Sequence, residues 1–284
     1  MKRISTCALC LLAAAVVPAQ AQVDLAGSWV KPNHEQHLGD ATIGDYTGIP
    51  INEAARVKAD AWDAARHGVP EHQCEPHPAD YGPVGPANMR IWPTVEPKTQ
   101  EIVAWNFVLH WMVMHRTIWM DGRPHPPEWA PHTWQGFSTG VWEGDMLTVT
   151  TTHLKAGWLR RNGLPRSDKA VLREHWFRHG NVLTLISITD DPVYLTEPFI
   201  RTLSWEVGLG FTVGPYPCDI SYETIQPDGW VPFHLPGANP SLYEVADEHN
   251  LPRESIRGGV ETTRPEYAEK LKALAAPRPP EVRR

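Results

Sequence analysis

Residues 171–189 read VLREHWFRHGNVLTLISIT, and this stretch favours a β-hairpin. Two runs rich in aliphatic, β-branched and aromatic residues flank His179-Gly180-Asn181, and Gly and Asn are residues that tight turns prefer. A second hairpin is predicted where GFSTGVW (136–142) and MLTVTTTHL (146–154) flank Glu143-Gly144-Asp145. The chain is therefore predicted to be mainly β.

The neighbouring sequence extends this pattern in both directions. The run EIVAWNFVLHWMVMHRTIWM leads into Asp121-Gly122, a dipeptide typical of two-residue hairpins. Further strands are predicted at residues 24–30, 199–207 and 219–225. An antiparallel meander of this kind hides its edge strands most simply by closing into a barrel.

Helices are predicted on either side of the meander. Residues 52–66 are rich in helix formers, Asn52 can cap them, and Val57, Ala61 and Trp62 fall on one face. We expect this N-terminal helix and C-terminal helices within 240–250 and 264–276 to pack outside a single barrel domain, residues 22–275, with a flexible Pro-rich tail at 276–284.

The N-terminus predicts export. Lys2 and Arg3 precede an apolar run and Ala19-Gln20-Ala21, a small-x-small cleavage site. The interpretation is a signal peptide over residues 1–21, a mature chain from Gln22, and a periplasmic or secreted location. No segment of the sequence is apolar over the length that a membrane span requires, so no membrane insertion is expected.

The net charge of the chain and the motifs it lacks exclude several classes of function. Of 26 Lys and Arg, two lie in the signal, which leaves 24 against 33 Asp and Glu and a net charge of −9. An acidic chain is a poor partner for nucleic acid or anionic lipid. The sequence has neither a G-x-G-x-x-G nor a G-K-[ST] motif, so no nucleotide or other cofactor is predicted.

Two cysteines, Cys74 and Cys218, remain after the signal, which contains Cys7 and Cys10. In an oxidising compartment two such thiols are most simply a disulfide. Two buried free thiols are the alternative.

The central motifs resemble a known family. Arg116, Asp121-Gly122-Arg123, Trp142 to Asp145, Ser167-Asp168 and Asp190-Asp191-Pro192 follow an RxIxxDGRxHP…WEGD…SD…DDP pattern. This pattern is similar to that of a family of secreted bacterial β-barrel proteins known mainly from genomes. The resemblance implies a fold and assigns no catalytic residue.

The first predicted strand carries a second resemblance. Gly27-Ser28-Trp29 is similar to the G-x-W start of lipocalin-type barrels and stands before the β-meander, where that motif belongs. It implies a lipocalin-like barrel, although the predicted helices depart from a minimal lipocalin.

Two polar residues are candidates for acid-base catalysis. Glu174 shares a strand face with Leu172 and Trp176, and a carboxylate among apolar neighbours needs a partner or a raised pKa. It is either a general acid/base or one half of a salt bridge with an arginine such as Arg160 or Arg201. His153 ends the apolar row of Leu147 and Val149 and is either a group at a pocket mouth or a non-catalytic histidine.

Ring side chains supply the candidate ligand site. Strand alternation over 110–115 places His110, Met112 and Met114 on one side, and Trp111, Val113 and His115 on the other. We expect Trp105, Trp111 and Trp119 to be core residues. The residues predicted to line or rim a cavity are Trp134, His132, Trp158, Trp176, His125 and Arg123.

Other site chemistries have weaker support. None of the histidine spacings matches a known metal-ligand pattern, so no metal is predicted, although ligands can converge from separate strands. No G-x-S-x-G elbow indicates a serine nucleophile. Asp121, Asp145, Asp168 and Asp191 lie at turns, where acids commonly bond to the backbone, and are interpreted as fold determinants.

Three functions remain open from the sequence. The first is an exported barrel that binds a small, largely apolar or aromatic molecule. The second is a cofactor-independent lyase, isomerase or hydratase in which Glu174 or His153 moves a proton inside the barrel. The third is a structural or assembly protein, which predicts a barrel interior filled by its own side chains.

Overall fold

A computed structural model describes residues 23–33, 42–214, 216–221 and 227–274. The predicted signal peptide, the predicted start at Gln22 and the predicted tail at 276–284 lie outside the described residues, as do residues 222–225 of one predicted strand.

The described strands follow the predicted hairpins closely. The strands Val171–His179 and Val182–Asp190 are joined through Gly180-Asn181, and Phe137–Glu143 and Met146–Thr152 through Gly144-Asp145, which confirms both hairpins. The strands are β1 (Gly27–Val30), β2 (Met89–Val95), β3 (Ile102–Leu109), β4 (Met114–Trp119), β5 (Phe137–Glu143), β6 (Met146–Thr152), β7 (Gly157–Trp158), β8 (Pro165–Arg166), β9 (Val171–His179), β10 (Val182–Asp190) and β11 (Phe199–Val207).

Nine of these strands close into a barrel in the order β1-β11-β10-β9-β6-β5-β4-β3-β2, which confirms the predicted lipocalin-like class. The four residues of β1 complete the wall. Trp29 pairs with Met89 of β2 on one side and with Val207 of β11 on the other. β7 and β8 form a separate two-stranded ribbon.

One pairing departs from an antiparallel meander. β4 and β5 are parallel, with Ile118 opposite Ser138 and Trp119 opposite Thr139. The prediction of a hairpin at Asp121-Gly122 is wrong, because parallel neighbours need a crossover connection. Residues 120–136 make that connection. The backbone bends at Asp121, and Gly122 has φ +71°.

The stretch 110–115 is not one continuous strand. Residues Trp111–Val113 form a helical turn between β3 and β4, and Met112 has φ +53°. The predicted alternation of faces from His110 to His115 is therefore wrong. Instead, β3 and β4 form a hairpin, and Trp111 lies in its turn at the end of the barrel.

Side chains from the inner strand faces fill the lumen. Trp176 stacks on Trp205 with ring centroids 5.7 Å apart and lies 5.1 Å from the ring of Phe107. Trp29 and Trp105 are also fully buried in the same apolar cluster. Aromatic rings of this size supply much of the burial energy of the core.

Because the strands alternate in direction, β1, β3, β6 and β10 finish at the same end of the barrel, which we call the upper end. The long β1–β2 connection crosses this end and contains α1 (Glu53–Asp60), which Asn52 caps by accepting from the amide of Ala55. The buried face of α1 is Ala55 and Ala59, while Val57, expected on the packed face, is half exposed.

The C-terminal helices are short. They are α2 (Glu244–Glu248), α3 (Glu254–Arg257) and α4 (Pro265–Lys272), and they follow the barrel strands as predicted. The amide of Tyr46 bonds the carbonyl of Ile256, so α3 packs on the β1–β2 connection. In the described part of the chain, no helix combines the length and apolar character needed to cross a membrane.

Cys74 and Cys218 form a disulfide, with Cα atoms 5.7 Å apart, as predicted. The side chain of Gln73 reinforces the link, since it donates to the carbonyl of Ser221 (2.8 Å) and accepts from the amide of Ser221 (2.7 Å). The segment after β11 is thereby held against the β1–β2 connection.

The double substitution C74S/C218S tests what this link contributes. The bridged residues are 144 apart in sequence, so in the chain-entropy model the bridge stabilises the fold by roughly 4–5 kcal/mol. Guanidinium unfolding is expected to show that loss in the variant, and wild-type protein under reducing agent is expected to match it. A loss below about 1 kcal/mol would contradict the assignment.

Candidate functional site

Glu174 lies inside the barrel and is bound on both carboxylate oxygens by Arg116. Arg116 also donates to Ser138 Oγ (3.0 Å) and Thr151 Oγ1 (2.6 Å). All four residues are buried. The salt-bridge alternative is therefore the one realised, but the partner is Arg116 of β4, not Arg160 or Arg201.

The ion pair leaves Glu174 little capacity for acid-base work. Both oxygens of the Glu174 carboxylate accept hydrogen bonds from Arg116, so neither is available to a substrate. We interpret the pair, with Ser138 and Thr151, as a structural network in the apolar lumen.

Three predicted site histidines lie between the outer surface of β5 and β6 and the 120–136 crossover. Two of them, His125 and His132, belong to the crossover. His125 bonds Thr152 Oγ1 (2.7 Å) and Thr139 Oγ1 (2.8 Å), and His153 bonds Thr152 Oγ1 (2.7 Å) and the carbonyl of Pro127 (3.0 Å). His132 bonds the carbonyl of Leu154 and lies 5.2 Å from the His153 ring. These histidines fasten the crossover to the barrel wall.

The remaining predicted residues are separated from one another. Arg123 forms an exposed ion pair with Asp121 and covers the ring of Trp119 at 3.6 Å. Trp176 is enclosed in the lumen core. Only Trp134 and Trp158 of the predicted ligand residues line clefts.

Three clefts lie along the loops and the outer wall. A wall cleft of about 460 Å³ opens beside the β4–β5 pairing, and its lining includes Trp134, His115 and Trp119. A side cleft of about 250 Å³ lies between Trp62, Trp134, Trp158 and Phe233. The largest, of about 520 Å³, is at the upper end, and we call it the upper cleft.

The upper cleft joins segments that are distant in sequence. Its walls come from the β1–β2 connection, the β3–β4 turn, the β7–β8 ribbon and the segment after β11, held together by the disulfide. The residues that line it are His67, Gly68, His72, Gln73, Cys74, His77, Trp111, Met112, Trp158, Arg161, Tyr216, Cys218, Asp219 and Ser221.

A cluster of rings forms the base of the upper cleft. The His77 ring lies 4.0 Å from Trp111, 5.1 Å from Tyr81 and 6.2 Å from Trp158, and it meets each of them edge to face. His67 lies 5.7 Å from Trp158 and separates the upper cleft from the side cleft. Edge-to-face packing of this kind fixes the ring positions.

Burial keeps the two histidines neutral. Desolvation, with a smaller contribution from the charge of Arg161, lowers the pKa of His77 to about 3. The same two causes lower the pKa of His67. The cleft thus presents neutral imidazoles and a cationic guanidinium at neutral pH.

Two further features mark the upper cleft. His77 Nδ1 and Trp158 Nε1 are buried and bond no described protein atom, which costs roughly 1–3 kcal/mol for each group. Cys74 and Met112, both lining residues, have left-handed backbones with φ +60° and +53°. Both features also occur elsewhere in the described chain, for example at Trp176 Nε1 and at Gln100, so they accompany the cleft and do not define it.

Sequence reasoning missed most of this site. His67, His77, Arg161 and Tyr216 were not candidates, and Trp111 was expected in the core. The available signal was the disulfide, because pairing Cys74 with Cys218 brings the histidine-rich stretch before residue 78 next to the segment that contains Tyr216.

The described residues contain no group of three or more His, Cys, Asp or Glu arranged to hold a metal ion. Comparisons of this chain with protein-family models, curated proteins and solved structures find no match.

Removing one partner of the buried ion pair is expected to destabilise the fold strongly. Glu174→Leu leaves Arg116 buried and unpaired, at a cost of about 3–5 kcal/mol, whereas R116M/E174L replaces both charges and is expected to recover much of that loss. Urea unfolding of both variants measures the difference. A double variant no more stable than Glu174→Leu would contradict a paired role.

The stability of the fold is expected to fall in acid because of His77. The unfolded state takes up a proton near the ordinary pKa of 6.5 and the folded state only near 3, so unfolding binds protons between these values. Above pH 6.5, His77 is neutral in both states and does not lower the free energy of unfolding. As pH falls from 6.5 toward 3, that free energy decreases by up to about 1.4 kcal/mol per pH unit. His77→Gln should flatten the plot of unfolding free energy against pH in this window. Parallel plots for wild type and variant would refute the assignment.

Proposed function

We propose that the protein is an exported barrel that binds a small aromatic molecule in the upper cleft. The observation that carries this proposal is the cluster of His77, Trp111 and Trp158 beneath a cleft of about 520 Å³. Small-molecule sites typically have about 300–1,000 Å³, aromatic walls and a few convergent polar groups.

Because side chains fill the lumen, the proposed binding site lies outside the barrel interior. Trp176, Trp205 and the Arg116–Glu174 pair occupy the space where a guest molecule was expected. In this arrangement the barrel is a rigid support, and the loops at its upper end form the binding site. Binding residues are often on loops that a rigid scaffold positions.

Export and family membership belong to the same proposal. The disulfide between Cys74 and Cys218 supports an oxidising compartment, in agreement with the signal peptide expected at residues 1–21. We propose membership of the secreted family on the sequence pattern. Within that pattern, Asp191 accepts from the amide (2.7 Å) and hydroxyl (2.6 Å) of Ser167, so the S-D and D-D-P motifs fix one another.

An assembly role is the second candidate, and exposed apolar side chains favour it. Val231, Phe233 and Leu235 are each more than half exposed along one segment. The enzyme alternative has less support, because both carboxylate oxygens of Glu174 and both ring nitrogens of His153 are engaged.

Titration calorimetry with indole tests the binding proposal. Trp158→Ala should weaken binding roughly ten-fold, since an aromatic contact contributes about 1–1.5 kcal/mol. Trp158→Phe should retain most of the affinity. Trp129→Ala is the matched control, because Trp129 is 84% exposed and lines none of the three clefts. Absence of indole binding to wild type, or equal losses at Trp129 and Trp158, would refute the proposal.

A further inference from the structure

Arg161 is a half-buried cation in the upper cleft, and it bonds no described residue through an ion pair or hydrogen bond. The buried arginines of the fold are different. Arg116 is paired with Glu174, and Arg166 with Asp80. The adjacent Arg160 lies 4.0 Å from Asp45. Arg161 is therefore a half-buried guanidinium in a cleft, without an ion pair or hydrogen bond to any residue that the structure describes.

The described acidic side chains around the cleft make no ion pair with Arg161. Glu75 is engaged by His72 at 3.0 Å. Asp219 lines the cleft but is exposed and makes no ion pair with a described residue. The nearby His67 and His77 are neutral, so one unmatched positive charge faces a space walled by rings.

We propose that the ligand of the upper cleft is an aromatic carboxylate whose carboxylate pairs with Arg161. The inference rests on the proposed binding function and adds the chemical class of the ligand. A planar guanidinium binds a carboxylate through two parallel hydrogen bonds, and partial burial strengthens such bonds.

The geometry of the cleft fits both halves of such a molecule. The rings of Trp111, Trp158 and Tyr216 can contact an aromatic body, and Arg161 lines the same space. Recognition of an anion also supplies selectivity, because a neutral or cationic analogue leaves the guanidinium desolvated and unpaired.

A matched series of indole ligands tests the inference by titration calorimetry. The probes are indole-3-acetate, its neutral isostere indole-3-acetamide, and the cation tryptamine. Wild type should bind the acetate roughly 10- to 100-fold more tightly than the amide, the range expected for hydrogen bonds to a charged group. Arg161→Gln should abolish this preference, mainly by weakening the binding of the acetate, and Arg161→Lys should retain part of it.

Arg90→Gln is the control, since Arg90 is exposed on β2 and lines none of the three clefts; it should keep the wild-type preference. Equal affinities of wild type for acetate and amide would overturn the carboxylate inference and leave aromatic binding intact. Absence of binding by every probe would overturn both. Tightest binding of tryptamine would assign recognition to Asp219 and overturn the role of Arg161.

Discussion

Closure of the barrel by the four residues of β1 is the constraint on which the rest of the structure depends. Trp29 pairs with β2 and β11 at once, and its indole bonds the carbonyl of Leu25. A closed wall leaves no sheet edge and excludes water from the lumen. Charged groups inside must therefore pair with each other, as Arg116 and Glu174 do, and aromatic side chains fill the remaining space.

Because the barrel is filled, the proposed binding site is formed by its loops. The upper cleft is made by the β1–β2 and β3–β4 connections, the β7–β8 ribbon and the segment after β11, and different interactions hold these parts in place. The disulfide and Gln73 hold the segment after β11, while ring packing around His77 positions Trp111 and Trp158. The strained backbones of Cys74 and Met112 persist because this packing and the disulfide determine their positions.

The β9–β10 hairpin and the Asn52 cap were predictable because each depends on residues close in sequence. Prediction failed where distant contacts override local preference. The chain bends at Asp121 and leads into a crossover, because β5 pairs parallel to β4. Met112 lies within an apolar run that suggests a strand, yet its left-handed backbone makes the turn that raises Trp111. The inward direction of Glu174 followed from alternation, whereas its partner did not.

The sequence by itself determined the mainly β class, the two tight hairpins and the buried face of β9, because alternation and turn residues are local properties. It favoured the Cys74–Cys218 disulfide and left two free thiols as the alternative. Only the tertiary structure decided that Arg116 reaches Glu174, that the lumen is full, and that His77, Trp158 and Arg161 share one cleft. The physical reason is that a barrel brings side chains together through strand order and loop path, which the spacing of residues along the chain does not specify.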